Sequence, residues 1–520
     1  MRLLRFQALA LIQGSLIFAQ AKFQPSVLRT WDEAGLHNVE LRLARPEASA
    51  RHIRSEFYYR IPIRPIYRTY PIYAPGREPP GYLESLKQRE PEILWDYDPA
   101  GNLLHAPPLR TSQDWIRAGE MVFDAPISAD DFEVEALGNA ETYRAAGMPV
   151  AKDGTMPFQR YVIRKKGMVE VGDASCAGCH TRLMPDESVL KGAQGNNPFD
   201  RFEALEEELS IARKLSTPAS AEEDRRGQVR RNWGVPWLVP DPHEQLSARP
   251  LPELLSVLKA IPPGVQARTG TSNLYPVQIP DLIGVEQRHF LDHTGLVRQR
   301  SIGDLMRYAA LNQGMDRLSF YGGFQPASVD HDAKALSDPA HLPDSFFSER
   351  YSDEQLYALA LYVYSLVPPK NPNLRSALSA RGEAVFRREG CAGCHTPPLY
   401  TNNKLVPAGD FKIPEDTDLR FDILPIRIGT DSRLALASRR GTGYYKVPSL
   451  RGVWYRGPFE HNGSIATLED WFDPRRLRDD YVPTGFVGYG LKTRPVRGHE
   501  FGLSLSSEDK AALISFLKTL

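Results

Sequence analysis

The sequence has no net charge, no long apolar run and only four cysteines, and each of these features excludes some classes of function. The chain of 520 residues has 64 basic and 64 acidic side chains, so no overall field favours nucleic acid or anionic lipid as a partner. Its apolar run at residues 6–18 is shorter than the roughly 20 residues that span a bilayer. We therefore expect no nucleic-acid partner and no transmembrane segment in the mature chain.

All four cysteines belong to one pentapeptide, Cys-Ala-Gly-Cys-His, which occurs at residues 176–180 and again at residues 391–395. C-x-x-C-H is the attachment sequence of c-type haem, in which both thiols bind one porphyrin and the histidine binds its iron. A zinc or dithiol site would not need the histidine in both copies, and no thiol is left for a disulfide. The sequence predicts two covalently bound haem c groups, with thioethers at Cys176, Cys179, Cys391 and Cys394 and proximal iron ligands at His180 and His395.

The first 21 residues have the layout of a secretory signal peptide. A short basic start at residues 1–5 precedes the apolar run, and Ala-Gln-Ala at residues 19–21 offers a small-residue cleavage site. An uncleaved N-terminal anchor is the alternative. Because haem is attached to C-x-x-C-H outside the cytoplasm, the two signals agree, and we expect a periplasmic or secreted protein.

The surroundings of the two pentapeptides repeat as well. Gly-Glu-x-Val-Phe precedes each copy, Pro-x-Leu-x-Gly-Val-x-x-Arg follows each copy, and a serine-capped helical pattern comes last. Blocks that recur in one order predict an internal duplication. The matched blocks are residues 118–123 and 381–386, then 280–288 and 448–456, then 352–366 and 506–520, with a histidine at the same offset after the second block in each unit, His293 and His461.

The first and last blocks are typical of helices, and the resulting units resemble class I cytochromes c. In that family the opening and closing helices cross through a glycine and an aromatic contact. The resemblance implies that Gly119 and Phe123 pack on Tyr362 in the first unit, and that Gly382 and Phe386 pack on Phe516 in the second.

These blocks lead to a fold prediction that is mainly α, with two tandem class I cytochrome c-like domains, irregular insertions and an extended N-terminal section. Within the insertions we expect a hairpin that turns at residues 166–167 and a charged helix at residues 202–215. The predicted boundaries are residues 1–21 for the signal peptide, 22–113 for the extended Tyr- and Pro-rich section, 114–368 for domain 1 and 376–520 for domain 2.

Residues 114–520 resemble the di-haem cytochrome c peroxidase superfamily, which includes the di-haem enzyme of methylamine-dehydrogenase maturation and the di-haem rubber oxygenases. The resemblance rests on the tandem C-x-x-C-H units and on the stretch from Pro-Ser-Leu-Arg to His-Asn-Gly-Ser at residues 448–464. Gly-His-Glu-Phe-Gly at residues 498–502 is more similar to the rubber-oxygenase branch, although the chain is shorter than those oxygenases.

The resemblance implies a division of labour between the two haems. One haem has an open or labile sixth position and reacts with peroxide or dioxygen. The other is six-coordinate and exchanges electrons with a small donor protein, a cytochrome c or a cupredoxin. Calcium between the domains is a candidate on resemblance alone, since the sequence has no acidic loop with calcium-ligand spacing.

The sixth ligand of the second haem is predicted to be His499. No methionine follows His395, so the only imidazoles left in this unit are His461 and His499. His461 has a counterpart in His293, which suggests a structural task that both units share. His499 has no counterpart and is therefore the better candidate for a ligand found in one unit only. His461, a tyrosine, another group or an open site are the alternatives.

The first haem has more candidates. His289 and His293 flank Phe290 and could form a distal pocket, in which an imidazole accepts and returns a proton while an O–O bond is broken. We predict both as catalytic residues. Met306 and Met315 are the alternative contacts on this side, whereas Met184 lies too close to His180 to reach the opposite face easily. Glu286 and Asp292 are weaker candidates, and an open iron is the favoured state.

The sequence therefore predicts a periplasmic di-haem c-type oxidoreductase of the peroxidase type, with peroxide reduction at the first haem and electron relay through the second. One alternative is a haem-dependent dioxygenase of the rubber-oxygenase type. A second alternative is a di-haem electron carrier without catalysis, in which both irons are six-coordinate.

Overall fold

The structure is a computed structural model that describes residues 26–39, 43–44, 50–130, 140–345, 347–409, 411–415 and 422–520. The predicted signal peptide, residues 1–21, lies outside these ranges. The fold is mixed, with 35% of residues helical and 13% in strands. The prediction of a mainly α fold is thus correct in part, because strands in the N-terminal section and in the insertions add a second class of structure.

Helices and strands follow one another irregularly along the chain. The helices are α1 (Glu33–Val39), α2 (Ser55–Tyr58), α3 (Tyr82–Lys87), α4 (Ser112–Asp124), α5 (Ala140–Ala146), α6 (Cys176–Cys179), α7 (Phe199–Ala212), α8 (Pro218–Trp233), α9 (Pro242–Ser247), α10 (Leu251–Lys259), α11 (Ile302–Asn312), α12 (Asp353–Ser365), α13 (Ala377–Arg388), α14 (Arg433–Leu436), α15 (Leu468–Trp471) and α16 (Ser507–Leu517). The strands are β1 (Ala50–Arg51), β2 (Ile66–Tyr67), β3 (Thr69–Tyr73), β4 (Ile93–Tyr97), β5 (Leu103–His105), β6 (Ser128–Asp130), β7 (Thr155–Lys165), β8 (Met168–Asp173), β9 (Thr181–Leu183), β10 (Val189–Lys191), β11 (Val265–Gln266), β12 (Val277–Gln278), β13 (Phe320–Tyr321), β14 (Leu405–Pro407) and β15 (Tyr444–Lys446).

Helices α4 and α12 cross at a glycine. A Cβ added at Gly119 would meet the backbone carbonyl of Ala358, so only glycine lets the two helices approach this closely. The rings of Phe123 and Tyr362 pack beside the crossing with centroids 5.2 Å apart. The packing predicted for the first unit is confirmed.

Helices α13 and α16 repeat this crossing in the second unit. A Cβ at Gly382 would meet the carbonyl of Ala512, and the rings of Phe386 and Phe516 lie 5.3 Å apart. The ring planes are inclined by 60° in both pairs. The predicted contact is therefore confirmed here too, and the two helix pairs are built in the same way.

Strands β7 and β8 form the predicted hairpin, with Lys165 paired to Met168. Strand β3, from the section predicted to be extended, joins them in a sheet of order β3-β7-β8-β6. The N-terminal section is therefore partly regular structure and not only extended chain. The chain leaves β8 directly into the first pentapeptide, where the Ser175 hydroxyl accepts a hydrogen bond from the Gly178 amide and begins α6.

The insertion after the first pentapeptide forms helices α7 to α10. The charged helix predicted at residues 202–215 is α7, which begins and ends three residues earlier than expected. These helices pack around a buried core that includes Trp233, Leu254, Leu258 and Ile261. The first turn of α7 points acidic side chains towards the cavity beside the first pentapeptide.

Candidate haem centres

The first pentapeptide places an imidazole ready to bind a metal. His180 Nδ1 lies 3.0 Å from the carbonyl oxygen of Pro280, the first residue of the repeated Pro-x-Leu block. With Nδ1–H donated to this carbonyl, Nε2 is free to coordinate iron, as is usual for a metal-binding histidine. Burial lowers the pKa of His180 to about 4, so the imidazole is neutral, the form that a metal requires.

The second pentapeptide repeats this arrangement. His395 Nδ1 lies 3.1 Å from the carbonyl of Pro448 and 3.1 Å from that of Tyr400. Burial and the neighbouring His499 lower the pKa of His395 to about 4. The repeated prolines thus have one task in both units, since each orients the histidine that follows the cysteines.

His499 lies opposite His395. The two ring centroids are 6.2 Å apart, close to the sum of two metal–nitrogen bonds of about 2 Å and the half-widths of the two rings. The His395 side chain is buried and that of His499 is half-buried, and the buried His499 Nδ1 has no hydrogen-bond partner among the described residues. The residues present therefore fit a haem iron held between two imidazoles.

The loop before α16 holds His499 in place. A Cβ at Gly498 would meet the backbone of Thr430, so the chain can pass here only as glycine. The His499 amide donates to the Ile428 carbonyl at 2.7 Å, and its own carbonyl accepts from the buried guanidinium of Arg476 at 2.9 Å. The His499 ring packs edge-on against the ring of Trp471.

His461, the alternative ligand, is engaged elsewhere. Its ring lies 4.5 Å from the ring of Tyr445, and its Nδ1 is 2.5 Å from the carboxylate of Glu460. Although burial acts to raise it, the adjacent His461 lowers the pKa of Glu460 to about 2. A histidine held by a carboxylate and packed against a tyrosine ring has a structural role that needs no iron.

A cavity of about 530 Å³ opens beside His180, Cys176 and Cys179. This volume lies within the range of roughly 300–1,000 Å³ for ligand and cofactor pockets. Among the described residues that line it, His180 is the only histidine, and there is no methionine. Met306 and Met315 are buried in the core and do not line the cavity.

The structure does not place His289 and His293 at this cavity. The His289 side chain is exposed, and its backbone amide donates a hydrogen bond to Asn403 Oδ1 at 3.1 Å. His293 lines a separate cavity of about 40 Å³ between Pro280 and Pro448. Its Nε2 lies 2.7 Å from the Gln278 carbonyl, and burial lowers its pKa to about 3. The prediction of a shared distal pocket at the first haem therefore finds no support, because neither His289 nor His293 is among the described residues that line the cavity beside His180.

Asp200 and Glu203, from α7, do line the cavity beside His180. Glu203 is paired with the guanidinium of Arg225 at 2.8 Å. Asp200 accepts hydrogen bonds from the Ala267 amide at 3.1 and 3.3 Å, and burial together with Glu203 raises its pKa to about 8. Of these two acidic side chains, Asp200 thus combines a place in the cavity with a raised pKa. In the sequence these acids belong only to a charged helix, so no local pattern indicated that Asp200 would line the cavity.

Backbone hydrogen bonds near the second repeated block join the two units, and each unit donates one of them to the other. The Gln278 amide donates to the His461 carbonyl at 2.8 Å, and the Lys446 amide donates to the His293 carbonyl at 3.0 Å. Gln278 and Lys446 each stand two residues before the proline that orients a proximal histidine. His293 and His461, which recur at the same offset, therefore accept hydrogen bonds between the units through their backbone carbonyls.

The side chains of Gln278 and Lys446 also donate hydrogen bonds to the opposite unit. Gln278 Nε2 donates to the Pro458 carbonyl at 2.7 Å, and Lys446 Nζ donates to the Leu291 and Phe290 carbonyls at 3.1 and 3.3 Å. Phe290 and Pro458 are again equivalent positions of the repeat. The two units therefore meet at one small cavity, which is lined by Pro280 and Pro448, the residues that orient the pentapeptide histidines.

Within the described ranges, no group of three or more His, Cys, Asp or Glu side chains is arranged to hold a metal ion. No helix there combines the length and the apolar character needed to cross a membrane.

Comparison with known proteins adds relatives of one kind. No family model matches the chain. A cytochrome-c peroxidase of Denitromonas iodatirespirans is 29% identical over 167 residues, 28% of this chain and 40% of that protein. The methylamine utilization protein MauG of Methylorubrum extorquens is 27% identical over 178 residues, 31% of this chain and 42% of that protein. The cytochrome c peroxidase Ccp of Escherichia coli is 25% identical over 190 residues, 34% of each chain.

The alignments thus span between 34% and 42% of the length of these three curated relatives. Among solved structures, a MauG-like protein associated with microbial copper homeostasis aligns with 47% of this chain and 73% of that chain. Its identity is 17% and its TM-score 0.27, too low to show a common fold. The curated relatives confirm the resemblance to the di-haem cytochrome c peroxidase superfamily.

Proposed function

We propose that this relative of the di-haem cytochrome c peroxidases is a di-haem c-type oxidoreductase of the peroxidase type. Peroxide is reduced at the haem of His180, and electrons arrive through the haem held by His395 and His499. The names of the relatives support this class of oxidoreductase. At identities of 25% to 29% they support the class more than the particular activity.

The observation that carries the proposal is the difference between the two centres. A second imidazole lies 6.2 Å from His395, whereas no histidine or methionine besides His180 lines the other cavity among the described residues. An iron with two strong axial ligands changes little on electron transfer, while an iron with one leaves room for peroxide. The geometry supports relay at the second centre and reaction at the first.

When bound, haem would supply the redox chemistry, held by the thioethers and proximal histidines described above. The chain itself supplies proton handling in the cavity. Asp200 is protonated at neutral pH because burial raises its pKa to about 8, so it can donate a proton to a peroxide oxygen as the O–O bond breaks. Asp200 therefore takes the role that the sequence suggested for His289 and His293.

Exposure favours electron entry at the second centre. Gly393 of the second pentapeptide and Thr396 directly after it are exposed, whereas Ala177 and Gly178 of the first pentapeptide are buried. A small donor protein, a cytochrome c or a cupredoxin, can therefore approach the second haem more closely than the first. The proposed location is the periplasm, where haem of this type is attached and such donors are found.

The experiment is a peroxide assay with the purified di-haem protein and a reduced c-type cytochrome. We expect donor oxidation that depends on peroxide, with two donor molecules oxidised per peroxide consumed. Oxygen uptake with an unsaturated hydrocarbon and no peroxide turnover would indicate a dioxygenase instead. Two low-spin haems that bind no added ligand would leave an electron carrier.

A further inference from the structure

A buried tyrosine of the second unit is hydrogen-bonded to a buried aspartate of the first. The Tyr455 hydroxyl donates to Asp281 Oδ2 at 3.0 Å, and the two residues are 5% and 4% exposed. Asp281 directly follows Pro280, whose carbonyl orients His180. The Tyr455 hydroxyl of the second unit thus lies next to the residue whose carbonyl orients His180 in the first unit.

Tyr455 is also connected to the second proximal histidine. The next residue, Arg456, donates to the carbonyl of Ser449 at 2.7 Å, and Ser449 follows Pro448, which orients His395. An unbroken series of contacts therefore runs between the two proximal histidines. Its members in order are His180, Pro280, Asp281, Tyr455, Arg456, Ser449, Pro448 and His395.

The Tyr455–Asp281 hydrogen bond has no equivalent at the corresponding positions of the repeat. The position equivalent to Asp281 is Ser449, and the position equivalent to Tyr455 is Gln287. Ser449 donates its hydroxyl to the Leu399 carbonyl, so the mirror-image pair does not exist. A structural contact needed by the duplicated fold would be expected twice, whereas this one occurs once.

The surroundings suit a phenol that loses an electron and a proton together. Burial raises the pKa of Tyr455, so the neutral phenol is the resting form. An oxidised phenol is a strong acid and needs a base within hydrogen-bond distance. Burial raises the pKa of Asp281 while Arg288 and Arg456 oppose this, so the carboxylate is a better proton acceptor than an exposed one.

We propose that Tyr455 is a redox-active relay between the two haem units, with Asp281 as its proton acceptor. The inference rests on the proposed function, since the oxidant is the haem of the His180 unit after it has reacted with peroxide. Tyr455 gives up one electron, its O–H bond breaks, and the proton forms an O–H bond on Asp281. An electron from the reduced haem of the His395 unit then restores the phenol, and the proton returns. The net change is one electron moved between the haems.

The test compares Tyr455→Phe with Tyr445→Phe in the intact di-haem protein. Tyr445 is a buried tyrosine of the same unit, but its hydroxyl donates to the Asp431 backbone carbonyl and has no carboxylate acceptor. After peroxide is mixed with the wild type and with Tyr445→Phe, we expect a tyrosyl radical by electron paramagnetic resonance. Tyr455→Phe should lose this radical and slow electron transfer from the second haem by about tenfold, with haem content and spectra unchanged.

Asp281→Asn separates the relay from simple packing. The amide keeps a hydrogen-bond acceptor for Tyr455 but is a poor base, so the radical yield should fall although the phenol is still present. A radical and a transfer rate that are the same in Tyr455→Phe and in the wild type would overturn the relay.

A second oxidant keeps this test independent of peroxide. A photo-oxidised ruthenium tris(bipyridine) complex with a sacrificial acceptor can withdraw an electron without any reaction at the haem of His180. If the wild type fails to react with peroxide, the proposed function fails, whereas the relay still predicts a photo-induced radical that Tyr455→Phe removes. A photo-induced signal that is indifferent to Tyr455 would overturn the relay alone.

Discussion

A buried imidazole nitrogen without a hydrogen-bond partner is unusual in a folded protein, and His499 has one. The fold positions the ring with a glycine that no other residue could replace and with a buried arginine that binds its carbonyl. Iron bound at the other ring nitrogen, Nε2, would offset the cost of enclosing this ring. The separation of 6.2 Å from the His395 ring agrees with that explanation.

Replacing His499 with Ala tests this assignment. Loss of a strong imidazole donor should convert one low-spin haem to high spin and raise its reduction potential. His461→Ala is the matched control, since the structure ties that ring to Glu460 and Tyr445. Optical spectra and a redox titration provide the measurement. A spin change in the control and none in His499→Ala would reverse the assignment.

Asp200 should control the pH dependence of the reaction with peroxide. Its raised pKa of about 8 means that the proton needed for O–O cleavage is present below this pH and lost as the pH rises through it. We expect kcat/KM for peroxide to fall above pH 8 in the wild type. Asp200→Asn should lower kcat/KM at pH 7 and remove this alkaline limb, as measured by a stopped-flow pH profile. An unchanged limb in the variant would assign the titration to another group.

The crossing of α13 and α16 shows how strongly one glycine constrains a pair of helices. Helix propensity alone predicts that Gly382→Ala stabilises the protein by up to about 1 kcal/mol. The structure predicts the opposite sign, because the new Cβ would meet the Ala512 carbonyl. We expect a loss of about 1–3 kcal/mol in the free energy of unfolding, measured by denaturant titration.

Ala384→Ser, on the exposed side of α13, is the control for this prediction. It should change the free energy of unfolding by no more than about 0.5 kcal/mol, as for most surface substitutions. Equal effects of the two substitutions would show that the crossing contributes nothing specific.

Elements set by local pattern could be predicted from the sequence, and elements set by distant contacts could not. The glycine crossings and the hairpin of β7 and β8 follow from short motifs, and both are found. The strand content was missed because β3 pairs with β7, which is far away in the chain. Asp200 was missed for the same reason, since only the fold brings α7 to the cavity beside His180.

At the scale of the whole molecule, the duplication explains how two similar units come to differ. The repeated prolines, amides and carbonyls build the same proximal side twice and join the units there. The differences lie outside the repeat, in the insertion that carries Asp200 and in the loop that carries His499. These additions to one common framework therefore give the two pentapeptide histidines different surroundings.

Removing one attachment site at a time tests this separation of roles. Cys176→Ser should lose one haem and all peroxide turnover, and the remaining haem should be low-spin. Cys391→Ser should keep a haem that binds carbon monoxide when reduced but should slow turnover with the donor cytochrome. The measurement is a pyridine haemochrome count with spectra of each variant. Turnover that survives in Cys176→Ser would place the reaction at the other haem.

The central claim is that one haem iron is open and the other is held by two imidazoles. It is tested most directly by electron paramagnetic resonance of the oxidised wild-type protein, followed by addition of carbon monoxide after reduction. We predict one high-spin signal and one low-spin signal typical of two imidazole ligands, with one carbon monoxide bound per molecule. Two low-spin haems that bind no carbon monoxide would contradict the account.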